Sequence, residues 1–437
     1  MSKPKPPPPP DLQDPKVRAR MNRAVLIGLQ RPDQSPEEAR HLLDELHELV
    51  GNLGVDIRGE LMVKLREDHP RHLVGTGKME EIAALAKGLD SGLVIFDDAL
   101  SPAQQRNWEK DAPGLHAIDR QEVILDIFVT RAKTREAVLQ VELARLQQQL
   151  PRLKRLWSHL DRQRGGGSTQ RDAGETQLEM DQRKIRDQIA RCRRELDEVV
   201  RQRATQRKQR QRVPLPTFAI VGYTNAGKSS LLNKLTGADV LAADQLFATL
   251  DPTTRRLELP SGRALLLTDT VGFVRRLPHR LVEAFKATLE ESVQADVLLH
   301  VVDLASPERE RHAATTLEVL RDIGAGDRPV LTILNKSDLM PDPFERAEAA
   351  ARHPGCILVS TVTGEGLDKL AARLEELASA RDAELTLLIP HDRYDLVARL
   401  HDAATVLESK SQDRGTRIVA IVPDRLRSAV EPFISEK

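Results

Sequence analysis

The run Phe218-Ala219-Ile220-Val221, followed at once by Gly222-Tyr223-Thr224-Asn225-Ala226-Gly227-Lys228-Ser229, constrains the fold more than any other feature of the chain. Four consecutive apolar residues read as a buried strand. GxxxxGK[ST] directly after such a strand predicts a strand, a glycine turn and a helix start. The glycines let successive backbone N–H groups wrap phosphates. Lys228 reaches the β- and γ-phosphates, and the Ser229 hydroxyl is placed to ligate Mg²⁺. A plain glycine turn at a helix start is the weaker reading.

Three further motifs follow in the order that a guanine-nucleotide domain needs, each at the end of an apolar run. Leu265-Leu266-Leu267-Thr268 leads into Asp269-Thr270-Val271-Gly272. Such an aspartate holds Mg²⁺ through water, and the Gly272 N–H can meet the γ-phosphate. Leu331-Thr332-Ile333-Leu334 leads into Asn335-Lys336-Ser337-Asp338. There Asp338 can accept from the guanine N1 and N2 protons while Asn335 supports the base edge. Adenine lacks that donor pair and would leave a carboxylate unpaired, so GTP is favoured over ATP. Ile357-Leu358-Val359 leads into Ser360-Thr361-Val362, placed to support the base O6.

Between the phosphate loop and Asp269 lies Phe247-Ala248-Thr249-Leu250-Asp251-Pro252-Thr253-Thr254. A switch loop needs a threonine to complete the Mg²⁺ shell and sense the γ-phosphate. Thr249, Thr253 and Thr254 are all candidates. After Gly272 comes Phe273, where many GTPases place a glutamine that orients the attacking water. A phenyl ring cannot do that, so intrinsic hydrolysis is expected to be slow. The Asn225 amide sits where it could help ligate a monovalent cation such as K⁺, with a loop-stabilising role as the alternative. If turnover is the same in Na⁺ and K⁺, the cation role is lost.

The chain has 437 residues, with 40% hydrophobic, 30% charged and 3% aromatic residues and a formal charge of +0. That length suits about three domains. So few aromatics disfavour a stacking platform for single-stranded nucleic acid. Two cysteines, Cys192 and Cys356, cannot build a disulfide framework and fit a reducing compartment. The start, Met1 to Pro10, is proline-rich and lacks the apolar core of a signal peptide, and no apolar run is long enough to span a membrane. The expected location is the cytoplasm, with room for a fraction peripheral to the membrane.

The expected fold class is α/β throughout, with five regions. Residues 1–20 form a disordered proline-rich tail and 21–134 an α/β domain with a parallel sheet. Residues 135–212 form a basic helical hairpin, 213–379 the phosphate-loop domain and 380–437 a small α/β domain. In the first domain Ala24–Ile27 and Leu93–Phe96 read as strands, and Ser35-Pro36-Glu37-Glu38 as a capped helix start. Gly75-Thr76-Gly77-Lys78 precedes another helix and could meet an anion, although glycines there also simply permit a turn.

The hairpin is read from heptads. Leu139, Leu143, Leu146, Leu150, Leu153, Trp157 and Leu160 recur at steps of 4 and 3. Leu178, Ile185, Ile189, Cys192, Leu196 and Val199 fit the same frame with a polar gap at Gln182. Two such segments joined by a polar loop, Gly165 to Gly174, predict an antiparallel coiled coil. Pro151 is expected to kink the first helix. Between Arg131 and Arg212 stand 22 Lys and Arg against 11 Asp and Glu. A charge excess of this kind is usually a solvated face. On a protruding hairpin it can also reach into a polyanion such as RNA.

With these residues in view, the sequence resembles the HflX-type GTPases, a ribosome-associated branch related to the Obg-like translation-factor GTPases. The resemblance is carried by Leu100-Ser101-Pro102-Ala103-Gln104-Gln105-Arg106-Asn107, Gly174-Glu175-Thr176-Gln177-Leu178-Glu179, Leu73-Val74-Gly75-Thr76-Gly77-Lys78 and Asp119-Arg120, beside the phosphate-loop motifs. It implies a GTPase fold with N-terminal, hairpin and C-terminal parts, and Mg²⁺ as cofactor. It also implies binding to the large ribosomal subunit and its rRNA, with splitting of stalled ribosomes. Phe247-Ala248-Thr249-Leu250-Asp251 matches the family's switch segment, which selects Thr249 as the Mg²⁺ ligand beside Ser229. Lys228, Thr249 and Gly272 are then the expected catalytic groups. Ser360-Thr361 stands where Ser-Ala is usual, and Ser230 where Thr is common. The free protein is expected to be monomeric. Two rival readings are an RNA-remodelling ATPase using Gly75 to Lys78 and a non-enzymatic RNA-binding scaffold with a slow nucleotide switch.

Overall fold

The computed structural model describes residues 20–163, 168–210, 215–237, 246–247, 249–275, 286–379, 382–422 and 424–435. The expected tail up to residue 19, the glycines Gly165 to Gly167 and the switch residue Ala248 lie outside them. The chain divides into two compact units. One takes Met1–Asp197 with Gln245–Phe247 and Leu277–Phe285, and the other takes Glu198–Asp244, Ala248–Arg276 and Lys286–Lys437.

The first unit holds a parallel sheet of β1 (Arg23–Gln30), β2 (Asp56–Lys64), β3 (Leu93–Phe96) and β4 (His116–Asp119), in the order β2-β1-β3-β4. Helix α1 (Pro36–Gly51) starts as its sequence dictates: the Ser35 side chain accepts from the Glu38 N–H and proline opens the first turn. Helix α2 covers Thr76–Gly88, α3 Pro102–Asp111 and α4 Arg120–Arg131. The interior is apolar on the strands that sequence reading finds, with Val25, Ile27, Val94 and Phe96 buried, and Trp108 of α3 joins the same core. The strands β2 and β4, both at sheet edges, escape that reading. β2 buries only Val63 fully, and β4 is four residues long. β2 carries only the short apolar run Leu61-Met62-Val63, and β4 carries no more than the pair Ala117-Ile118.

The family-like stretch from Ser101 onward has a structural task. Ser101 and Gln104 form a reciprocal capping box at the start of α3. Farther along, Gln104 Nε2 donates to the His69 carbonyl at 3.1 Å, Asn107 Nδ2 to Arg71 at 2.8 Å and Trp108 Nε1 to His72 at 3.0 Å. Helix α3 therefore clasps the loop that precedes Gly75. Lys78 in that segment pairs with Glu81 at 2.6 Å.

Arg120 is 2% exposed, with its guanidinium 2.9 Å from Asp97 and 2.8 Å from Glu45. Removing one member of a buried ion pair strands the other charge, at about 3–5 kcal/mol. Arg120→Ala is accordingly expected to destabilise the chain by that amount. Denaturant unfolding with an unchanged midpoint would refute the expectation.

The hairpin consists of α5 (Arg135–Gln163) and α6 (Ser168–Arg210). Leu139, Leu143, Leu146, Ile189 and Cys192 are buried, as is Gln182, whose Oε1 accepts from Arg186 at 3.1 Å. Arg135, early in α5, reaches Glu195, late in α6, at 3.6 Å, as antiparallel helices require. Helix α5 continues through Pro151. One expectation is corrected: the loop read over Gly165 to Gly174 is helical from Ser168 onward. A single interior glycine such as Gly174 costs only about 1 kcal/mol, which a 43-residue helix absorbs.

In the second unit β5 (Thr217–Gly222), β6 (Thr253–Glu258), β7 (Ala264–Asp269), β8 (Val297–Asp303), β9 (Val330–Asn335) and β10 (Ile357–Leu358) form a six-stranded sheet in the order β10-β9-β8-β5-β7-β6. Only β6 runs antiparallel to its neighbour. Helices α7 (Lys228–Thr236), α8 (Lys286–Gln294), α9 (Arg309–Asp322), α10 (Pro343–Ala351) and α11 (Leu367–Ser379) complete this α/β layer system. β5 is central, so the loop at its carboxyl end opens where ligands bind in such sheets. Residues beyond form an antiparallel sheet of β11 (Ala383–Ile389), β13 (Gly415–Val422) and β12 (Thr405–Gln412), with α12 (Tyr394–Ala403) and α13 (Asp424–Val430). The largely exposed β12 is again an edge strand without a hydrophobic signature. Among the described residues no helix is long and apolar enough to cross a membrane.

Candidate nucleotide site

The loop between β5 and α7 is built around two glycines that admit no side chain. Gly222 has φ +152°, and a Cβ there would lie 2.2 Å from the Val301 carbonyl oxygen on β8. Gly227 has φ +92°, and its Cβ would lie 2.2 Å from the Asn335 side chain. Between them Asn225 adopts φ +60° and is exposed, while Ala226 is buried. Lys228 opens α7 with its ammonium buried and bonded to the Tyr223 carbonyl at 2.7 Å. Burial pushes the Lys228 pKa down to about 8, with Asp269 partly opposing the shift.

Ser229, Thr249 and Asp269 converge. The Ser229 and Thr249 hydroxyls lie 2.8 Å apart and donate to Asp269 Oδ2 at 2.6 and 2.7 Å. Asp269 is fully buried, its other oxygen has no partner among the described residues, and burial raises its pKa. Hydroxyl and carboxylate oxygens with one orphaned buried acceptor suit a hard divalent cation such as Mg²⁺. The other two threonine candidates point elsewhere. Thr254 bonds Thr268 across the β6–β7 pair at 2.9 Å, and Thr253 begins β6. Leu250 is buried, and Asp251 half-buried.

After β7 the chain passes Thr270, whose hydroxyl donates to the Ile220 carbonyl at 2.6 Å, then buried Val271 and Gly272. A Cβ on Gly272 would meet Thr224 Cγ2 at 2.8 Å and Lys228 Nζ at 2.9 Å. Phe273 is buried, and it is locked to the phosphate loop by its N–H to the Gly222 carbonyl and its carbonyl to the Thr224 N–H. One feature of Tyr223 has no sequence signal. Its hydroxyl accepts from the Arg275 N–H at 2.8 Å and its ring stacks on His312 at 3.8 Å.

Asn335 is fully buried and ties three segments together. Its Nδ2 donates to the Ala226 carbonyl at 2.9 Å, and its Oδ1 accepts from the Thr361 N–H at 3.3 Å. Lys336 stands at φ +64° and pairs with Asp303 at 2.7 Å. Buried Ser337 donates to Glu365 at 3.1 Å, and the Ser360 hydroxyl donates to Asp338 Oδ1 at 2.5 Å. The supporting role of Glu365 has no sequence signal, because no motif marks it. Val362 is 76% exposed, so its side chain takes no part in packing this end of the site. Phe247 belongs to the first unit. At φ +55° it is buried, its ring edge-on to Phe128 of α4 with centroids 4.6 Å apart.

Comparison with known proteins gives a consistent assignment. Residues 40–129 match the family described as GTP-binding GTPase N-terminal, and 131–210 match GTP-binding GTPase Middle Region. Residues 217–336 match 50S ribosome-binding GTPase, and 345–425 match the HflX C-terminal domain. The GTPase HflX of Akkermansia muciniphila is 48% identical over 95% of this chain and 98% of its own. That of Escherichia coli K12 is 42% identical over 86% and 88%. A GTP-binding protein from Sulfolobus solfataricus, solved with GDP, is 23% identical, covers 82% of this chain and 99% of its own, and has a TM-score of 0.44. With relatives this similar along nearly its whole length, the chain belongs to the HflX family of GTPases.

Proposed function

We propose that this GTPase acts on the large ribosomal subunit, docking on rRNA through its basic hairpin and using GTP hydrolysis to separate or rescue stalled ribosomes. The observation that carries the reading is the match of residues 217–336 to a family described as 50S ribosome-binding GTPase. The surface of α6 supports it. Arg183, Lys184, Arg186, Arg191, Arg193 and Arg194 are all exposed along one stretch of helix, as phosphate contacts need. The expected site is the cytoplasm.

In the proposed site the amides of Gly222 to Gly227 and the Lys228 ammonium hold the β- and γ-phosphates. The hydroxyls of Ser229 and Thr249 hold Mg²⁺, with Asp269 behind them, and the ion supplies charge neutralisation for the transferring phosphoryl group when bound. The Gly272 amide meets the γ-phosphate. Asp338 accepts from the guanine N1 and N2 protons, Asn335 holds the loops on which the base rests, and the Ser360–Val362 backbone faces O6. Asn225 is proposed to help ligate K⁺.

Phe273 cannot orient a water, so docking is expected to order the switches and accelerate turnover. The test is steady-state GTP hydrolysis by the full chain at low salt, with and without purified large subunits and with ATP as control. A large, GTP-selective stimulation is expected. Equal rates with and without subunits would overturn the ribosomal reading while leaving GTP hydrolysis intact.

A further inference from the structure

Two loops meet at the base end of the candidate site, and one residue outside every motif grips both. Glu365 lies shortly beyond Ser360, in the turn that leads into α11. Its carboxylate accepts from the Ser337 hydroxyl at 3.1 Å, and its backbone carbonyl accepts from the Ser360 N–H at 3.0 Å. Ser337 is fully buried and immediately precedes Asp338 in a short 3₁₀ turn, Ser337–Leu339. Ser360 is the residue whose hydroxyl donates to Asp338 Oδ1 at 2.5 Å. Glu365 therefore holds both neighbours that set the direction of the Asp338 carboxylate, one along the chain and one across the loops.

Glu365 is itself fixed from two sides. Arg346 of α10 donates from Nη1 to Glu365 Oε1 at 3.2 Å, and its Nε donates to the Met340 carbonyl at the end of the same 3₁₀ turn. A Cβ on Gly366 would collide with the Leu358 carbonyl oxygen, so the backbone after Glu365 lies directly against β10. Stability gives little reason for this arrangement. The Glu365 side chain is 53% exposed, and exposed ion pairs contribute little to folding. Alanine at position 337 would need no acceptor, so burial of the serine does not by itself call for the carboxylate.

We propose that Glu365 is a positioning residue for guanine recognition, holding Ser337 and Ser360 so that the Asp338 carboxylate accepts from the guanine N1–H and N2 amino group together. The inference rests on the GTP-site reading given above. Two parallel bonds to one carboxylate demand a fixed plane as well as a fixed distance, so a carboxylate free to tilt keeps one of them more easily than both. Hypoxanthine has the N1–H and lacks the amino group, so it asks for only one. Loosening the turn should therefore cost guanine more than hypoxanthine, and the preference between the two bases measures the aim of Asp338. Phosphate contacts are common to both nucleotides and cancel from that ratio.

The experiment measures Kd for GDP and for inosine diphosphate on the full chain. Wild type is compared with Glu365→Ala, Glu365→Gln, Ser337→Ala and the double alanine variant, with the thermal midpoint of each taken without nucleotide. Alanine at 365 leaves the backbone contact to Ser360 in place, so it tests the carboxylate. Glu365→Ala is expected to weaken GDP by about tenfold and to narrow the preference for GDP over inosine diphosphate by about fivefold. Its thermal midpoint should stay within about 2 °C of wild type. Glu365→Gln keeps an oxygen for Ser337 and is expected to retain most of the preference. Ser337→Ala should narrow it, and the double variant should lose less than the two single losses combined, since both remove one contact. An unchanged preference in Glu365→Ala would overturn the proposal, even with both nucleotides equally weakened, because that result assigns the residue to loop packing. Losses that add in full in the double variant would overturn it too, because the carboxylate would then not act through Ser337. Wild type that binds GDP no better than inosine diphosphate is a separate result, and it would strike the reading of Asp338 instead.

Discussion

Lys228→Met is expected to lower GTP hydrolysis at saturating nucleotide by roughly 10³-fold, while leaving a folded chain. Methionine keeps the buried stem of the side chain and removes only the ammonium, which is held at 2.7 Å by the Tyr223 carbonyl. The same ammonium predicts a pH dependence. Burial holds the Lys228 pKa at about 8 in the nucleotide-free chain. Only the charged form attracts a triphosphate, so GTP affinity should be full below pH 8. It should then fall as pH rises, by up to about tenfold per unit until the pKa of the complex is reached. Folding responds with the opposite sign. The native pKa lies below the ordinary value of 10.5, so between pH 8 and 10.5 the unfolded chain carries more protons and stability rises with pH through that window. GTP titrations at pH 7 and 9 check the first trend. Wild type should weaken markedly, and the methionine variant should be weak and flat. A wild-type affinity unchanged between those values would refute the assignment of the charge.

The motifs of the candidate site are legible in the sequence because of how a parallel sheet presents its loops. The expected motifs at Gly222, Asp269, Asn335 and Ser360 each follow an apolar run, and each run is a strand of one sheet or leads directly out of one. Local spacing therefore stands in for three-dimensional proximity. The same logic fails where side chains act across the fold. No spacing rule links Asn335 to the Ala226 carbonyl 109 residues away, or Ser337 to Glu365. Residue chemistry left Thr249, Thr253 and Thr254 equivalent as switch candidates, because each is a threonine on one short segment. Two long-range arrangements separate them physically: Thr249 bonds Ser229 and Asp269, and the pairing of β6 with β7 occupies Thr254 against Thr268. Edge strands were the other blind spot. β2, β4 and β12 are too short or too exposed to alternate cleanly, so the parallel order of the first sheet was legible only through its two central, buried strands.

Base recognition offers the second large effect. Asp338→Asn is expected to cut GTP and GDP affinity by about 10²- to 10⁴-fold and to transfer preference to xanthosine triphosphate. The Ser360 hydroxyl donates to Asp338 Oδ1 at 2.5 Å, which orients the carboxylate and leaves Oδ2 and the remaining lone pairs for a ligand. Guanine offers two donors there, N1–H and the N2 amino group. A carboxylate accepting both makes charge-assisted bonds of about 1.5–3 kcal/mol each. Asparagine replaces one acceptor oxygen with an NH₂ donor, which faces the guanine amino group donor to donor. Xanthine carries a carbonyl oxygen where guanine carries that amino group, so the same NH₂ now finds an acceptor. The substitution changes no volume and leaves Asn335 in place between the Ala226 carbonyl and the Thr361 amide. The two loops should therefore keep their geometry, and a loss of GTP affinity matched by a gain for the xanthine nucleotide reports base recognition. Competition binding of GTP, ATP and xanthosine triphosphate decides it. If Asp338→Asn binds GTP as wild type does, Asp338 does not read the base. If it loses GTP with no gain for the xanthine nucleotide, the carboxylate supports the loop and something else supplies the specificity.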